Sequence, residues 1–258
     1  MSPGFRRFFA GYAGRLARRR FHAIRILRGD DEVIRTAAAA DGPFLGLLSH
    51  ASWWDPLVGL LVWRRLLPDR DLRMPMDAEQ LARFGFFKRL GVFGIDPDDP
   101  ASLDAMRRFV LDHFATGTRP ALGLTPQGRF TDPREPVRLR PGAAAIAAAA
   151  PDDTTVVAIA VEYVFWQDQR PEILISATRA TRPATINATT TAWQRAMTEA
   201  FTDATARLAD AAIARDPDAF VELVGGGDRI HPVMDAWHRL TGRGGGIAAR
   251  RSPREAVS

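Results

Sequence analysis

The sequence contains no cysteine, and this absence excludes several kinds of site. Disulfide bonds, zinc–thiolate centres and thiol nucleophiles all require the cysteine side chain. The sequence also has no Gly-x-Ser-x-Gly motif, which is the signature of a serine nucleophile on a strand-to-helix elbow. Covalent catalysis through a thiol or an elbow serine is therefore not expected.

Long apolar runs are missing as well. The most apolar stretch, residues 44–67, is interrupted by His50, Asp55, Arg64 and Arg65. A membrane-spanning helix needs about 20 predominantly apolar residues, so none is predicted. The first residues carry charge but no unbroken apolar segment, so no secretory signal is expected either.

Acidic residues are absent from the first part of the chain. The net charge is +5, but residues 1–29 contain no acid and a group of arginines, which are Arg6, Arg7, Arg15, Arg18, Arg19, Arg20, Arg25 and Arg28. Removing this group leaves a mildly acidic remainder. Such a basic segment favours either an anionic membrane or a nucleic acid as its partner.

Aromatic residues alternate with these arginines. Phe5, Phe8, Phe9, Tyr12 and Leu16 each have another member of the set three or four residues away, which predicts one apolar face on a helix. Residues 1–40 are therefore predicted to be a basic amphipathic segment that associates with a membrane. No RNA-binding or zinc-finger signature accompanies it, so a nucleic acid is not expected as partner.

Strands alternate with helices in the rest of the chain. The predicted strands are "PFLGLLS", "DLRMPM", "GVFGI", "RPALGL", "TTVVAIAVEYVFW" and "EILISAT". The predicted helices are residues 56–67, "DAEQLARFGFFKRL" capped by Asp77, "LDAMRRFVLDHFA" capped by Ser102, "GAAAIAAAA" and residues 190–214. This alternation predicts an α/β fold with a mixed, mainly parallel sheet flanked by helices. "EYVFWQDQRPEI" predicts one antiparallel hairpin.

The main folded domain is expected to span residues 41–223. Residues 224–258 contain "GGG" and "GRGGG" and an arginine-rich end, so we interpret them as a C-terminal extension that is largely flexible. Within it, residues 242–258 are predicted to be disordered.

The segment "SHASWWDP" places a histidine at the end of a predicted strand, with an acid five residues later. His50 has the side chain most often used as a general base near neutral pH, and Asp55 could fix its tautomer. The other histidines lack an acid at this spacing. The alternative is that His50 is a capping residue and Asp55 a carboxylate at the start of a helix beside Pro56. The spacing alone leaves both interpretations open.

The segment "LTPQGRF" follows another predicted strand. Gly128 would allow a ligand to approach the backbone, and Arg129, Arg138 and Arg140 could bind an anionic group. The alternative is an ordinary turn followed by a solvated, charged loop.

Four segments, in order, resemble the sequence blocks of the glycerolipid acyltransferase superfamily, which includes 1-acylglycerol-3-phosphate and other lysophospholipid acyltransferases. "SHASWWD" is similar to the first block, usually written NHxxxxD. "MDAEQLARFGFFKRLGVFGID" resembles the stretch leading into the second block. "LTPQGRFTDPREPVRLRPGAAAIA" resembles the third block, FPEGTRS, with the segment after it, and "TTVVAIAVEY" resembles the fourth. The resemblance covers roughly residues 40–180, so residues 41–223 are expected to form an acyltransferase domain.

The resemblance implies a separate role for each of the residues in the first and third blocks. His50 would deprotonate an acceptor hydroxyl, which attacks an acyl thioester, and Asp55 would orient His50. Acceptor binding would fall on Pro126, Gln127 and Gly128. The donor would be acyl-CoA or acyl carrier protein, the acceptor a lysophospholipid or related lipid, and neither a metal ion nor another cofactor is expected.

Together with the basic N-terminal segment, the resemblance predicts a peripheral protein on the cytoplasmic face of a membrane. Two other functions remain open at this point. One is a non-catalytic lipid-binding relative, and the other is a thioesterase-like hydrolase that uses water as the acceptor.

The sequence departs from the family pattern at several positions. Ser49 replaces an asparagine, Gln127 a glutamate, Ala158 a proline, and Pro97 and Phe130 stand where arginines are usual, with Arg129 displaced by one. These arginines usually hold the acceptor's phosphate. Either Lys88, Arg129, Arg138 or Arg140 compensates, or the acceptor is a different lipid or a sugar-bearing one.

Three neighbours of His50 complete the expected substrate-binding residues: Ser49, Trp53 and Trp54. The two tryptophans could line the entrance of the site or belong to the core. One of each is expected.

Overall fold

The computed structural model describes residues 3–166, 168–184 and 188–225, and it contains one sheet with helices on both faces. The strands are β1 (Ala23–Leu27), β2 (Phe44–Leu48), β3 (Asp71–Asp77), β4 (Val92–Ile95), β5 (Pro120–Leu124), β6 (Thr155–Val164), β7 (Glu172–Arg179) and β8 (Phe220–Gly225). The helices are α1 (Pro3–Arg20), α2 (Asp30–Ala39), α3 (Asp55–Leu66), α4 (Ala78–Arg83), α5 (Pro100–Thr116), α6 (Gly142–Ala149) and α7 (Thr190–Ala214). Two 3₁₀ turns are Gly85–Leu90 and Pro217–Ala219.

The strand order in the sheet is β4-β3-β5-β2-β6-β7-β1-β8. The pairs β3–β4, β3–β5, β2–β5, β2–β6 and β1–β7 are parallel, whereas β6–β7 and β1–β8 are antiparallel. This architecture confirms the predicted α/β fold with a mainly parallel sheet, and the β6–β7 pair confirms the predicted hairpin. The carboxyl ends of β5, β2 and β6 lie side by side, which is where α/β proteins place ligands.

Two main apolar clusters cover the two faces of the sheet. One is built by α1, α2 and α3, and it contains Ile34, Val58 and Leu61. The other is built by α5, α6 and α7, and it contains Phe114, Ile146 and Trp193. Burying both faces explains why β2, β6 and β7 have continuous apolar sequences without alternation.

The first 40 residues contribute to this common core. Ala10, Ala13 and Ala17 of α1 are fully buried, whereas Phe8 of the same helix is 65% exposed. Strand β1 lies between β7 and β8, and α2 packs on the same side as α1. The N-terminal segment is therefore joined to the domain through a sheet strand and an alanine face.

Three elements were not predicted from the sequence: β1, α2 and β8. Arg25 within β1, with Arg20 and Arg28 on either side of the strand, obscured its strand pattern. Arg25 is accommodated there because its Nε lies 2.6 Å from Oε2 of Glu172 at the start of β7. Arg28, just after β1, donates to the carbonyl groups of Asp218 and Phe220. Partners on neighbouring segments thus accommodate the two arginines, so the sequence around β1 does not need the continuous apolar pattern of a buried strand.

The predicted helix at residues 77–90 was only partly right. Asp77 caps α4 as predicted, accepting a hydrogen bond from the backbone N–H of Gln80 at 2.9 Å. The helix ends at Arg83, however, and the chain continues as the 3₁₀ turn Gly85–Leu90, because glycine disfavours a continued α-helix.

The predicted cap of α5 was wrong. Asp99 occupies that position and accepts from the N–H groups of Ala101 and Ser102. The Ser102 hydroxyl instead accepts from the N–H of Asp96 at 2.8 Å. The helix therefore begins earlier than predicted.

Among the described residues, no helix combines the length and the apolar character needed to cross a membrane. The predicted disorder at 242–258 and most of the predicted C-terminal extension lie outside the described residues.

Candidate active site

His50 lies just beyond the carboxyl end of β2 and is held through its backbone. Its N–H donates to Oε1 of Gln127 at 2.8 Å, and its carbonyl accepts from the N–H of Thr131 at 2.7 Å. Both partners belong to the loop after β5. The loop that contains "TPQG" thus fixes the position of the histidine across two neighbouring parallel strands.

The His50 and Asp55 side chains meet at 2.9 Å between Nδ1 and Oδ2. Asp55 is the first residue of α3, and the chain turns back so that its Oδ2 also accepts from the N–H of Ser52 at 2.8 Å. This turn explains how a separation of five residues, unsuited to one helix face, produces a contact. Trp54 precedes α3 and no side chain caps the helix, so His50 is not a capping residue.

A third side chain completes the pair. The hydroxyl of Tyr163, near the end of β6, donates to Oδ1 of Asp55 at 2.6 Å. Burial raises the pKa of Tyr163, and the adjacent charge of Asp55 raises it further, so the phenol stays a hydrogen-bond donor. The Asp55 carboxylate, fully buried, therefore accepts from His50, Ser52 and Tyr163.

These contacts define the tautomer of His50. A carboxylate can only accept hydrogen bonds, so Nδ1 carries the proton that points to Asp55. In the neutral imidazole the lone pair is then on Nε2, which can accept a proton from a substrate. The His50 side chain is 21% exposed, whereas that of Asp55 is fully enclosed. The arrangement has the form of a general base with a buried orienting acid.

The loop after β5 places Gly128 in the left-handed region, with φ of 68°. A Cβ atom there would lie 2.6 Å from Nε of Arg140, so only glycine leaves room for that side chain. Arg140 donates from its backbone N–H to the carbonyl of Pro126 and from Nη1 to the carbonyl of Pro97. Arg140 therefore bridges the segments that the sequence assigned to the second and third blocks.

The remaining predicted binding residues fall into different environments. The Ser49 hydroxyl accepts from the N–H of Val161 at 2.8 Å and so joins β2 to β6. Arg129 pairs with Glu135 at 3.1 Å. Lys88 and Arg138 are exposed, and neither side chain makes a hydrogen bond or ion pair with another described residue. The structure therefore gives Lys88 no contact with the site.

Aromatic side chains surround the opening of the site. Phe130 stacks near His50, with ring centroids 4.2 Å apart, and Trp53 lies 5.9 Å from Phe130. Trp53 is 71% exposed, whereas Trp54 packs edge-on against Phe21 in the core. Sequence reasoning did not assign a binding role to Phe130 or any role to Tyr163. The signal for Tyr163 was weak, because its contact depends on which strands are neighbours in the sheet.

A small cavity lies on the α7 side of the sheet, against Phe201 and Leu208, and is lined in part by carboxylates. Ser49 and Gln127 form one wall, and Asp132, Glu135 and Glu162 contribute acidic groups. Burial raises the pKa of Glu162, and the charge of Asp132 raises it further, while Arg134 opposes the shift. Within the described residues, no cluster of histidine and acidic side chains could hold a metal ion.

Comparison with protein-family models gives a match. A family model described as Acyltransferase matches residues 25–162, which is slightly more than half of the chain. A search of curated proteins finds no match. The matched range runs from β1 into β6 and contains His50, Asp55 and the loop after β5. It begins earlier than the resemblance read from the sequence, because it includes β1.

Proposed function

The chain belongs to the acyltransferase family, which supports a general role in acyl transfer, and we propose that His50 is the general base of that reaction. The fatty acyl group would move from an acyl thioester to a hydroxyl of a lipid acceptor. The observation that supports this proposal is the hydrogen-bonded series His50–Asp55–Tyr163 at the carboxyl ends of adjacent strands.

The proposed reaction uses the lone pair on Nε2 of His50, which is free because the proton is on Nδ1. Nε2 of His50 removes the proton from the acceptor hydroxyl as its oxygen attacks the thioester carbonyl carbon. A carbon–oxygen bond forms, the carbon–sulfur bond breaks, and the imidazolium returns its proton to the departing thiolate. A positioned general base contributes roughly 10²–10⁴-fold to the rate. Asp55 stabilises the imidazolium while it carries the charge.

The replacement of glutamate by Gln127 is compatible with this function. Its Oε1 accepts the N–H of His50, which a carboxylate oxygen could do equally well. The hydrogen bond that positions the base is therefore preserved, and the negative charge is not needed for it.

The proposed donor is acyl-CoA or acyl carrier protein, and the proposed location is the cytoplasmic face of an anionic membrane. A patch of exposed aromatic residues supports membrane association. Phe8 and Tyr12 of α1 lie on the same surface as Phe84 and Phe86, because Phe9 packs against Phe86 at 5.3 Å. The same two segments, residues 3–20 and 83–89, carry exposed basic residues, namely Arg7, Arg15, Arg18, Arg19, Arg20, Arg83, Lys88 and Arg89. Aromatic and basic residues together favour the interface of an anionic leaflet.

The test is incubation with labelled acyl-CoA and acyl carrier protein thioesters together with a total lipid extract, followed by mass spectrometry of newly acylated lipids. We expect His50→Ala to lower product formation by about 10²-fold or more. His22→Ala is the matched control, because His22 also contacts an aspartate, with Nδ1 3.1 Å from Oδ2 of Asp168. We expect this variant to retain activity.

Three other results of this experiment would each lead to a different conclusion. Release of free fatty acid without an acylated lipid would indicate a hydrolase. Lack of turnover with every donor would indicate a lipid-binding relative without catalysis. Full activity of His50→Ala would remove His50 from the mechanism.

A further inference from the structure

The ring of Phe130 covers one face of the His50 imidazole. The two ring centroids lie 4.2 Å apart, and the ring planes differ by 33°. Phe130 is 47% exposed, so it does not belong to the apolar core, and the His50 side chain beneath it is 21% exposed. The contact uses the flat face of the imidazole and therefore does not occupy the lone pair of Nε2, which lies in the plane of the ring.

The backbone of the loop after β5 sets the position of Phe130. Before it in the chain, Oε1 of Gln127 accepts the N–H of His50 at 2.8 Å, and after it the N–H of Thr131 donates to the His50 carbonyl at 2.7 Å. The Thr131 hydroxyl also donates to the carbonyl of Arg129 at 3.2 Å. Because the loop is bonded to His50 on both sides of residue 130, the ring is held beside the imidazole by the backbone.

An aromatic face interacts differently with the two protonation states of the imidazole. The face carries a negative electrostatic potential that attracts a cation, whereas a neutral imidazole gains mainly dispersion energy from it. In the proposed acyl transfer, His50 becomes an imidazolium as it takes the proton from the acceptor hydroxyl. The contact with Phe130 is therefore stronger at that stage than before the reaction, which is the condition for lowering a barrier.

Charged groups on the elements around His50 do not oppose this contact. Asp55 at the start of α3 favours the imidazolium, and Tyr163 of β6 acts on the imidazole only through that carboxylate. The arginines of the loop that carries Phe130 are paired with acids of the same loop, namely Arg129 with Glu135 at 3.1 Å and Arg134 with Asp132 at 2.7 Å. Their charges are therefore largely compensated within the loop.

We propose that Phe130 is a positioning residue, which fixes the plane of the His50 imidazole and stabilises its protonated form by stacking on it. Asp55 holds the edge of the imidazole at Nδ1 and Phe130 holds its face, so both side-chain rotations of His50 are restricted. This inference rests on the proposed role of His50 as the base and adds a residue that acts through that base.

The first experiment measures protonation of His50 directly and needs no turnover. The full chain is prepared with isotope-labelled histidine, and the Cε1–H signal of His50, identified by its loss in His50→Ala, is followed by NMR as a function of pH. We expect Phe130→Leu to lower the proton affinity of His50 about threefold, which moves the midpoint of its titration to lower pH. Leucine keeps the bulk that shields the imidazole from water, so the change reports the loss of the aromatic face.

Phe165→Leu is the matched control. Phe165 is 63% exposed just after β6, at the same edge of the sheet, and the contacts of the described residues do not stack its ring on a histidine. We expect the titration of His50 in this variant to match the wild type. A midpoint in Phe130→Leu that is unchanged, or that moves to higher pH, would overturn the stabilising role of the ring.

A second substitution covers the case in which Phe130→Leu does not fold. A trifluorinated phenylalanine in place of Phe130 keeps the shape of the ring but removes the negative potential of its face. We expect it to lower the proton affinity of His50 in the same direction as leucine. A titration identical to that of the wild type would overturn the inference.

The final experiment follows acyl transfer. In Phe130→Leu we expect kcat to fall about 3- to 10-fold and the acid limb of the rate–pH profile to move to lower pH, because a less stable imidazolium makes a weaker base. Phe130→Tyr returns an aromatic face to the site, so this variant should recover most of the lost kcat. A ring that only binds substrate would raise KM and leave the acid limb in place, and that result would contradict the positioning role.

Failure of the proposed function gives a different result. Equal titrations of His50 in the wild type and Phe130→Leu, with acyl transfer intact, would overturn the role of Phe130 alone. Absence of acyl transfer by the wild type with every donor and acceptor would count against the proposed function, whereas a difference between the two titrations would still support the stacking.

Discussion

At the scale of single residues, the Asp55 carboxylate is tightly constrained. It is fully buried, and hydrogen bonds from His50, Ser52 and Tyr163 compensate for the loss of water. The bond from Tyr163 matters most when His50 is neutral, because Asp55 then has no adjacent cation to balance its charge. Tyr163 is therefore a positioning residue that acts on the base through Asp55.

This predicts the behaviour of Tyr163→Phe. Loss of the phenol hydroxyl removes stabilisation from the state with neutral His50, so the protonated imidazolium is favoured. We expect kcat to fall by about 3- to 30-fold and the acid limb of the rate–pH profile to move to higher pH. The measurement is kcat against pH with one acyl-CoA and one acceptor.

Tyr12→Phe is the control for this experiment, since Tyr12 is the only other tyrosine and is exposed on α1. A purely structural role of Tyr163 would lower stability and leave the position of the acid limb unchanged. That outcome would contradict the positioning role.

The contrast between Asp55 and Tyr163 shows how much of the site the sequence reveals. His50 and Asp55 are neighbours in sequence, and a turn at the start of a helix is enough to predict their contact. Tyr163 lies 108 residues beyond Asp55 and reaches it only because β6 pairs with β2. Phe130 reaches His50 because β5 pairs with β2 on the other side. Contacts that depend on strand order are not encoded in local patterns.

At the scale of elements, α1 has two different faces. The sequence showed the aromatic face and predicted a helix from it, but the face that contacts the domain consists of Ala10, Ala13 and Ala17. Alanine contributes little to an apolar periodicity, so this packing face was missed. Arg6 also lies on the buried side, with Nη2 3.3 Å from Oδ1 of Asp71 and its guanidinium over Trp63. Its charge is therefore not available to a membrane.

The same structure changes how membrane binding should be tested. Deletion of residues 1–28 would remove β1 and the alanine face, so it would unfold the domain. The double substitution Phe8→Ser and Tyr12→Ser removes only exposed rings. We expect it to weaken partitioning to vesicles that contain phosphatidylglycerol by about tenfold or more. Vesicle sedimentation at two salt concentrations measures the effect.

The control is the double substitution Phe109→Ser and Ile213→Ser, at positions that are 43% and 79% exposed on α5 and α7. Its partitioning should match the wild type. If both double variants bind vesicles equally well, the aromatic patch on α1 does not contact the membrane.

At the scale of the whole molecule, one arrangement explains both fold and site. The parallel order β5-β2-β6 brings three carboxyl ends together, and each contributes a different part: the loop with Gln127, the base His50, and Tyr163. The alternation of strands and helices was sufficient to predict the class of fold. The order of the strands follows from long-range packing, including β1, whose charged sequence was not identified as a strand.

Glu162, near the end of β6, makes the stability of the fold depend on pH. Burial raises the pKa of Glu162 above its ordinary value, which means that the folded state binds a proton more tightly than the unfolded state. Stability therefore falls as pH rises from the ordinary glutamate range through the raised pKa, and the loss is complete at higher pH. The glutamine side chain of Glu162→Gln is neutral at every pH, so we expect the Tm of this variant to exceed that of the wild type at pH 7, with a smaller difference near pH 4.

Thermal unfolding at both pH values measures this difference in Tm. Glu199→Gln, on the exposed face of α7, is the control. A Glu162→Gln protein that is less stable than wild type at pH 7 would show that the carboxylate is stabilised by Arg134 more than it is destabilised by burial.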